Sequence, residues 1–146
     1  MKKNNSTNTD DTCNVCSKEE KFLYIKNRRD VIIYISGAYM GKDNGKSIDS
    51  NIRLAREAAI ELWEKGFTVI CPHLNTQNFE KDCTCKYEDY LTGDTTIVKR
   101  VDAVFMLENW MESQGASVEK ATVEDYNIPV FFTIKKVEEY FENFTN

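Results

Sequence analysis

The sequence predicts an α/β fold, a doubly wound parallel sheet of four to five strands with flanking helices. Two observations predict this class. Short apolar segments rich in β-branched residues alternate along the chain with longer segments of helical periodicity, in the order β-α-β-α-β-α-β-α. The apolar segments are continuous rather than interrupted at every second position, which is typical of strands buried on both faces of a parallel sheet. The alternation therefore implies right-handed crossovers between parallel strands.

The predicted strands are the most apolar segments of the chain, residues 31–36, 67–71, 103–107 and 130–134. The predicted helices follow them, at residues 47–65, 87–100, 116–126 and 137–144. The first helix has the clearest pattern, because its apolar residues recur every three or four positions and Gly66 follows as a stop. Its apolar stripe consists of Ile48, Ile52, Ala55, Ala59 and Leu62. The two longest polar segments, residues 75–86 and 108–115, are predicted to be loops.

The length and charge of the chain limit its organisation and its partners. The chain has 146 residues, and 19 Lys and Arg against 24 Asp and Glu give a net charge of −5. We predict a single domain at residues 29–146, preceded by a disordered or loosely packed polar leader at residues 1–28. A negative net charge disfavours a nucleic-acid polymer or an anionic membrane as partner. Apolar runs of about five residues and the lack of a secretory segment predict a cytoplasmic protein without a membrane span.

The chain contains an odd number of cysteines. They are Cys13, Cys16, Cys71, Cys83 and Cys85. An odd number in a chain without a secretory segment favours reduced thiols over a disulfide framework. The Cys13/Cys16 and Cys83/Cys85 pairs together hold enough thiols for a tetrahedral zinc site, but they lack the usual paired spacing. We therefore predict no metal, and interpret the pairs as parts of a polar tail and of an unrelated loop.

Ligands of a doubly wound sheet bind beyond the carboxyl ends of its strands. The segment that leaves the first strand there, S-G-A-Y-M-G, contains Ser36, Gly37, Tyr39 and Gly41. The two glycines allow the backbone to approach a ligand closely. The segment matches neither the dinucleotide-binding nor the P-loop pattern, so an ordinary turn with a surface tyrosine is an equally good interpretation.

A second candidate segment, S-Q-G-A-S-V-E, follows the third predicted strand. Gly115 allows a sharp entry into the next helix, which places Glu119 in or near the first helical turn. The helix dipole there stabilises a carboxylate by about 0.3–1 kcal/mol, as a nucleophilic carboxylate requires. Ser113 and Ser117 flank it as hydroxyl donors. The simpler interpretation is that Glu119 only complements the helix dipole.

Two further polar residues are candidates for the same crevice. Asp94, in L-T-G-D-T-T, is either an acid in the same crevice or a helix N-cap after Gly93. His73, the single histidine, follows Pro72 directly after the second strand. It is either a ligand-binding residue or a hydrogen-bonded loop residue, because no partner is evident in the sequence.

Taken in order, several segments resemble the nucleoside 2-deoxyribosyltransferase superfamily. These segments are Y-I-S-G-A-Y-M-G, N-I-R-L-A-R-E-A-A-I-E-L-W-E-K-G, V-I-C-P-H-L-N, D-A-V-F-M-L and S-x-G-x-x-x-E. The chain is most similar to the branch that contains 2'-deoxynucleoside 5'-monophosphate N-glycosidases. The resemblance covers about residues 31–134. It implies a Rossmann-like fold and cleavage of the N-glycosidic bond between deoxyribose and base, with no cofactor.

The resemblance also implies roles for the candidate residues. It makes Glu119 the nucleophile and Asp94 the acid that protonates the leaving base. The segment 36–41, with His73, lines the sugar and base pocket. We expect Glu119 to stay charged at the helix start, and the pKa of Asp94 to be raised by burial or by its carboxylate neighbour. The partner is accordingly a small nucleoside or nucleotide.

One position departs from the transferases of this superfamily. Family members that exchange bases between free nucleosides tend to have Asp six residues before the nucleophile, where this chain has Ser113. A carboxylate there repels a 5'-phosphate, whereas a hydroxyl can donate a hydrogen bond to it, with Lys42, Lys46 or Arg53 as further candidates. Base exchange by a 2-deoxyribosyltransferase and binding of a nucleotide without catalysis remain the alternatives.

The resemblance further implies a homodimer or a higher homo-oligomer in which a neighbour completes the site. Trp110 and Phe131, which we predict to be exposed, are compatible with such an interface.

Overall fold

The structure, a computed structural model, describes residues 25–41 and 46–144, and only the backbone of residues 46 and 47. Within this range the chain forms four strands: β1 (Ile32–Ser36), β2 (Thr68–Ile70), β3 (Ala103–Met106) and β4 (Val130–Phe131). It also forms five α-helices: α1 (Lys46–Glu64), α2 (Pro72–Asn75), α3 (Tyr87–Val98), α4 (Gln114–Asp125) and α5 (Ile134–Tyr140). Short 3-10 turns lie at Arg28–Asp30, Phe79–Lys81 and Trp110–Glu112.

The four strands form one parallel sheet in the order β2-β1-β3-β4, which confirms the predicted fold class. The chain leaves β1 towards β2 on one side and later returns to β3 on the other. This reversal creates a topological switch point at the carboxyl ends of β1 and β3, where Ser36 pairs with Met106. A crevice for a ligand is expected at this edge of the sheet.

The sheet carries a hydrophobic core on each face. On one face, Ile33 and Ile35 pack with Leu62 of α1 and Val137 of α5. On the other face, the core is built by β1 and β3 together with α3 and α4. Its buried members are Tyr34, Val98, Val101, Val104, Met106, Ala116, Val123 and Ile128. Tyr34 is fully buried, so the second core contains a polar hydroxyl that requires a hydrogen-bond partner.

Several element boundaries differ from the prediction. Pro72 was predicted only to end the second strand. It also begins helix α2, because proline fits the first position of a helix. Helix α4 begins at Gln114 rather than Ala116, since Ser113 caps it by accepting a hydrogen bond from the Ala116 N–H. Thr133 caps α5 in the same way, so this helix begins where a strand was predicted to end.

Two predictions about exposure also need correction. Phe131 is half-buried, and its ring packs 5.2 Å from that of Tyr140 and 6.4 Å from that of Phe141. Trp110 is half-buried as well, with Phe132 packed 6.1 Å from it. These rings were predicted to be exposed, but the packing of α5 and of the segment after β4 covers them.

Parts of the sequence interpretation lie outside the described residues. Most of the predicted leader, including Cys13 and Cys16, falls there. At its end, Ile25 is described and packs against the core beneath α1 and α5. None of the helices in residues 25–41 and 46–144 is long and apolar enough to cross a membrane.

Gly37, directly after β1, lies so close to the side chains of Leu107 and Asn109 that it has no room for a side chain of its own. A Cβ there would lie 2.6 Å and 2.8 Å from Cδ1 and Cβ of Leu107, and 2.9 Å from Oδ1 of Asn109. We expect Gly37→Ala to lower the free energy of unfolding by about 1–3 kcal/mol, because Leu107 cannot move without disturbing the core.

Gly93→Ala is the matched control, because a Cβ at Gly93 meets nothing within 4 Å on the exposed face of α3. This second change should stabilise the protein by up to about 1 kcal/mol, since alanine favours a helix interior. Urea denaturation of both variants measures the difference. Equal stability of the two variants would contradict the close packing at Gly37.

Candidate active site

A cavity of about 480 Å³ opens at the carboxyl edge of the sheet, where the switch point lies. The segment after β1, helix α2, helix α3 and the first turns of α4 form its walls. Among the described residues, the lining includes seven predicted site residues together with Tyr34 of β1. The eight are Tyr34, Gly37, Tyr39, His73, Asp94, Ser113, Gly115 and Glu119. The volume is typical of pockets that enclose a small organic ligand.

Glu119 lies at the floor of the cavity with a side chain that is held in one orientation. The residue is only 6% exposed. The Tyr34 hydroxyl donates a hydrogen bond of 2.7 Å to Oε1, and the Ser36 hydroxyl donates one to Oε2. Both donors come from β1, and because they are two residues apart in a strand they lie on the same face of the sheet. A carboxylate with both oxygens bound in this way has little rotational freedom.

The protonation of Glu119 differs from the expectation. Burial raises the pKa of Glu119 to about 7, against the opposing effect of the hydrogen bonds from Ser36 and Tyr34 and with a further increase from the charge of Asp94. We expected the helix dipole to keep this carboxylate charged, but burial has the larger effect on its pKa. Helix α4 begins at Gln114, so Glu119 lies in the second turn, where the helix dipole is weaker than the desolvation.

Asp94 lies on helix α3 and lines the same cavity. The residue is half-buried, and burial raises its pKa to about 6. Helix α3 begins at Tyr87, so Asp94 is inside the helix and is not its N-cap. The structure thus brings Asp94 and Glu119 into one cavity, and their charges interact. Burial is the main reason for the raised pKa of each carboxyl group, so both can be protonated closer to neutral pH than a carboxyl in water.

The segment after β1 is fixed by two asparagines that sequence reasoning missed. The Ala38 N–H donates to Oδ1 of Asn109 at 3.1 Å. Nδ2 of Asn109 donates to Oδ1 of Asn51 at 3.0 Å, and Nδ2 of Asn51 donates to the Tyr39 carbonyl at 3.1 Å. Asn109 could have been found from its position just after the third strand, but Asn51 gave no signal within the helical pattern of α1.

Tyr39 connects this segment to the loop after α2. Its hydroxyl accepts a hydrogen bond of 2.9 Å from the Asn78 N–H and donates one of 3.2 Å to Glu80 Oε2. Tyr39 and Glu80 both line the cavity. Gly41 is half-buried at the end of the same segment and is not among the described residues that line the cavity.

His73 is buried beside the segment after β1 and lines the cavity. Its Nε2 lies 3.0 Å from the Ala38 carbonyl, which can only accept, so Nε2 carries the proton. Burial lowers the pKa of His73, and the ring is therefore neutral at physiological pH. Among the described atoms, Nδ1 has no hydrogen-bond partner and remains an acceptor.

The three predicted residues at the start of α4 are not equivalent. Ser113 and Gly115 line the cavity, whereas Ser117 is exposed and is not part of the described lining. The Ser117 hydroxyl instead donates to the Ser113 carbonyl at 3.0 Å. A Cβ on Gly115 would come within 2.9 Å of the Tyr87 hydroxyl, so the glycine allows α3 and α4 to approach each other here.

Tyrosines contribute more to the cavity than sequence reasoning suggested. Tyr34, Tyr87 and Tyr90 all line it, in addition to the predicted Tyr39. Burial raises the pKa of Tyr34 and Tyr87, with a further increase from the charge of Glu119. Tyr34 was overlooked as part of an apolar strand, although one hydroxyl in an otherwise aliphatic buried segment is a usable signal.

The cysteine pairs can be placed only in part. Cys83 and Cys85 are exposed before α3, and Cys85 lies at the rim of the cavity. Across residues 25–41 and 46–144 no group of three or more His, Cys, Asp or Glu side chains is arranged to hold a metal ion. Because Cys13 and Cys16 are outside these residues, the zinc hypothesis stays untested.

The two hydroxyl donors to Glu119 lead to a prediction about its titration. We expect Ser36→Ala to raise the pKa of Glu119 further, by roughly one unit, because a hydrogen bond donated to the charged form favours that form. NMR titration of the glutamate side-chain carboxyls measures this shift. Ser117→Ala is the control, since that hydroxyl is bound to a backbone carbonyl, and an equal titration in both variants would contradict the contact.

Fold and site together define an α/β protein with a pair of carboxyl groups in a cavity at the strand ends. A family described as a domain of unknown function (DUF4406) matches residues 31–132, and the chain belongs to this family. No curated protein sequence matches the chain.

A solved structure that is similar to the chain is the 2-deoxyribosyltransferase from the psychrotolerant bacterium Bacillus psychrosaccharolyticus, described as a biocatalyst for the synthesis of antiviral and antitumoral nucleosides. The two are 18% identical, the similarity covers 68% of this chain and 69% of that one, and the TM-score is 0.44.

Proposed function

We propose that the protein cleaves the N-glycosidic bond of a 2'-deoxynucleoside 5'-monophosphate through a covalent glycosyl-enzyme intermediate and releases the free base. One observation carries this proposal. Glu119, bound by two hydroxyls of β1, shares a cavity with Asp94, and burial raises the pKa of both groups. A retaining glycosidase requires two carboxyl groups of this kind, one as nucleophile and one as acid.

The proposed reaction has two steps. In the first, an oxygen of Glu119 attacks C1' of the sugar while Asp94 donates its proton to the leaving base, so an ester forms as the N-glycosidic bond breaks. In the second, water attacks C1' of the ester, Asp94 accepts a proton from it, and Glu119 is released. This displacement needs no metal or redox cofactor.

The productive complex requires Glu119 to be ionised and Asp94 to carry a proton. Burial raises the pKa of both groups, which makes a protonated Asp94 accessible near neutral pH. Positive charge that develops at C1' favours the ionised form of Glu119 in the transition state. The base, placed against α3, is then in contact with the protonated Asp94.

The start of α4 supports a phosphate as part of the substrate. Ser113 accepts a hydrogen bond of 3.1 Å from the Ala116 N–H, which uses an oxygen lone pair and leaves its hydroxyl hydrogen for a phosphate oxygen. The N–H groups of the first helical turn and the helix dipole favour an anion at the same place. Three basic residues were further candidates for contact with the phosphate. Arg53 is exposed and is not among the described residues that line the cavity, and the side chains of Lys42 and Lys46 lie outside the described part of the chain.

The direct test uses a panel of deoxynucleoside monophosphates, the corresponding deoxynucleosides, and ribonucleotides. Chromatography of the free base measures hydrolysis. Release of base from the monophosphates supports the proposal. Base exchange in the presence of two bases, without net hydrolysis, identifies a 2-deoxyribosyltransferase instead. Thermal stabilisation by nucleotides without any turnover identifies a nucleotide-binding protein.

Ser113→Asp tests the phosphate contact without removing the helix cap. Aspartate caps a helix as well as serine does, so the stability of the protein should change little. Its charge repels a 5'-phosphate, and we expect KM for the monophosphates to rise roughly 10- to 100-fold. KM for the matching deoxynucleosides should be unaffected. An equal effect on both substrate types would show that Ser113 does not contact the phosphate.

We also propose that the protein assembles as a homodimer or a higher oligomer, as the sequence resemblance implies. Phe132 and Met111 are exposed apolar residues and are available for such a contact. Light scattering coupled to size-exclusion chromatography measures the assembly directly, and a monomer at micromolar concentration would contradict it.

A further inference from the structure

Cys83 and Cys85 are neighbouring thiols in the segment that leads into α3. Both are exposed. The Cys85 N–H donates a hydrogen bond of 3.3 Å to Sγ of Cys83, and the Cys85 thiol is also within hydrogen-bonding reach of that sulfur. The loop therefore brings two sulfur atoms of the same chain together at the surface.

A third side chain makes one of these thiols the more reactive one. The Tyr90 hydroxyl lies 2.9 Å from Sγ of Cys83. Its hydrogen bond, together with that from Cys85, lowers the pKa of the Cys83 thiol and so favours the nucleophilic thiolate. Cys71 provides an internal contrast, because burial raises its pKa to about 11.

The thiol pair is connected to the cavity. Cys85 and Tyr90 both contribute to the described lining, and Tyr90 is one helical turn before Asp94 on α3. A chemical change at Cys83 removes the partner of the Tyr90 hydroxyl and moves the Cys85 side chain. The rim of the cavity therefore changes with the state of the pair.

We propose that Cys83 and Cys85 are a reversible redox site that reacts with a small-molecule disulfide and closes an intrachain disulfide at the rim of the cavity. The Cys83 thiolate attacks one sulfur of the small disulfide, forms a mixed disulfide and releases one thiolate. The Cys85 thiolate then attacks Sγ of Cys83 and releases the second. The two cysteines are oxidised, the small disulfide is reduced to two thiols, and these take up the two cysteine protons.

A disulfide across a single intervening residue is constrained, so the reduced pair re-forms readily when small thiols are in excess. The site is thus suited to reversible oxidation and not to permanent crosslinking. It is independent of the proposed glycosidic reaction, because neither thiol takes part in that reaction.

The test uses the full chain with Cys13→Ser and Cys16→Ser, so that Cys71, Cys83 and Cys85 are the remaining thiols. The protein is exposed to oxidised glutathione, quenched with acid, alkylated with excess iodoacetamide in denaturant at neutral pH, and digested for mass spectrometry. We expect the peptide with Cys83 and Cys85 to lose two hydrogens, to regain them with dithiothreitol, and to be oxidised well before Cys71 is modified.

Three variants complete the experiment. Cys83→Ser and Cys85→Ser cannot close the ring; Cys85→Ser should keep a stable glutathione adduct on Cys83. Tyr90→Phe should slow oxidation roughly threefold, because it removes the hydrogen bond to the thiolate. A persistent glutathione adduct on the intact pair, oxidation no faster than at Cys71, or an unchanged rate in Tyr90→Phe would overturn the proposal. All these readouts are covalent modifications and do not depend on enzymatic activity.

Discussion

Replacing Glu119 with Gln is expected to lower the rate of base release by at least about 1,000-fold, because an amide cannot form the glycosyl ester. Gln has nearly the same shape and can still bond to the hydroxyls of Tyr34 and Ser36. The rate is measured as free base released from the best monophosphate of the panel. Glu124→Gln, on the exposed face of the same helix, is the control and should retain full activity.

The same variant has a second expected effect, on stability. The pKa of Glu119 is raised from 4.5 to about 7, so the folded protein binds this proton more tightly than the unfolded chain does. The folded state therefore loses stability as pH rises from about 4.5 to about 7. At pH 8 Glu119→Gln removes a buried charge and should be more stable than the wild type by roughly 3 kcal/mol.

Below pH 4.5 this stability difference should disappear, because the carboxyl is then protonated in both states. Thermal or urea denaturation at several pH values measures the effect. A variant that is inactive and also less stable than the wild type at pH 8 would indicate a structural role for Glu119 and would contradict the account of a buried, reactive carboxylate.

Replacing Asp94 with Asn is the second change with a large expected effect. A general acid contributes typically 100- to 10,000-fold, and we expect the rate of base release to fall by roughly this factor. The loss should depend on the leaving base. An N7-methylated deoxyguanosine monophosphate already carries a positive charge on the base and needs no proton, so Asp94→Asn should cleave its glycosidic bond in the first turnover at close to the wild-type rate.

The pH profile gives a second measurement of the role of Asp94. Its pKa is raised to about 6, and an acid must be protonated to act, so the wild-type rate should fall as pH rises through and above the pKa of the pair. Asp94→Asn should lose this alkaline decrease. Glu119→Gln, in contrast, should not recover with the methylated base. An equal loss on both substrates in Asp94→Asn would show that Asp94 is not the proton donor.

The fold was predictable from the sequence because its strongest signals are local. The continuous apolar segments at β1 and β3 and the apolar stripe of α1 each indicate one type of element. The element boundaries were misplaced where a single residue is compatible with two types of local structure. Pro72 can end a strand or begin a helix, and Ser113 can belong to a loop or cap a helix, so only the folded chain decides between these alternatives.

The site was predictable in part. Glu119 was a candidate because it follows the third predicted strand, and the sequence resemblance added Asp94 as a residue of the same crevice. Their environments were not predictable. The hydrogen bonds from Tyr34 and Ser36 depend on how α4 packs against β1, and the raised pKa values of both carboxyl groups depend on burial that only the packed structure defines.

The proposed reaction requires a covalent bond between Glu119 and the sugar, and mass spectrometry of the trapped intermediate detects this bond directly. Asp94→Asn with the N7-methylated substrate should form the ester quickly and hydrolyse it slowly, since Asp94 is also the base of the second step. After acid quench, the peptide with Glu119 should carry one 2-deoxyribose 5-phosphate. Release of base with Glu119 unmodified, or with the sugar on another residue, would contradict the account.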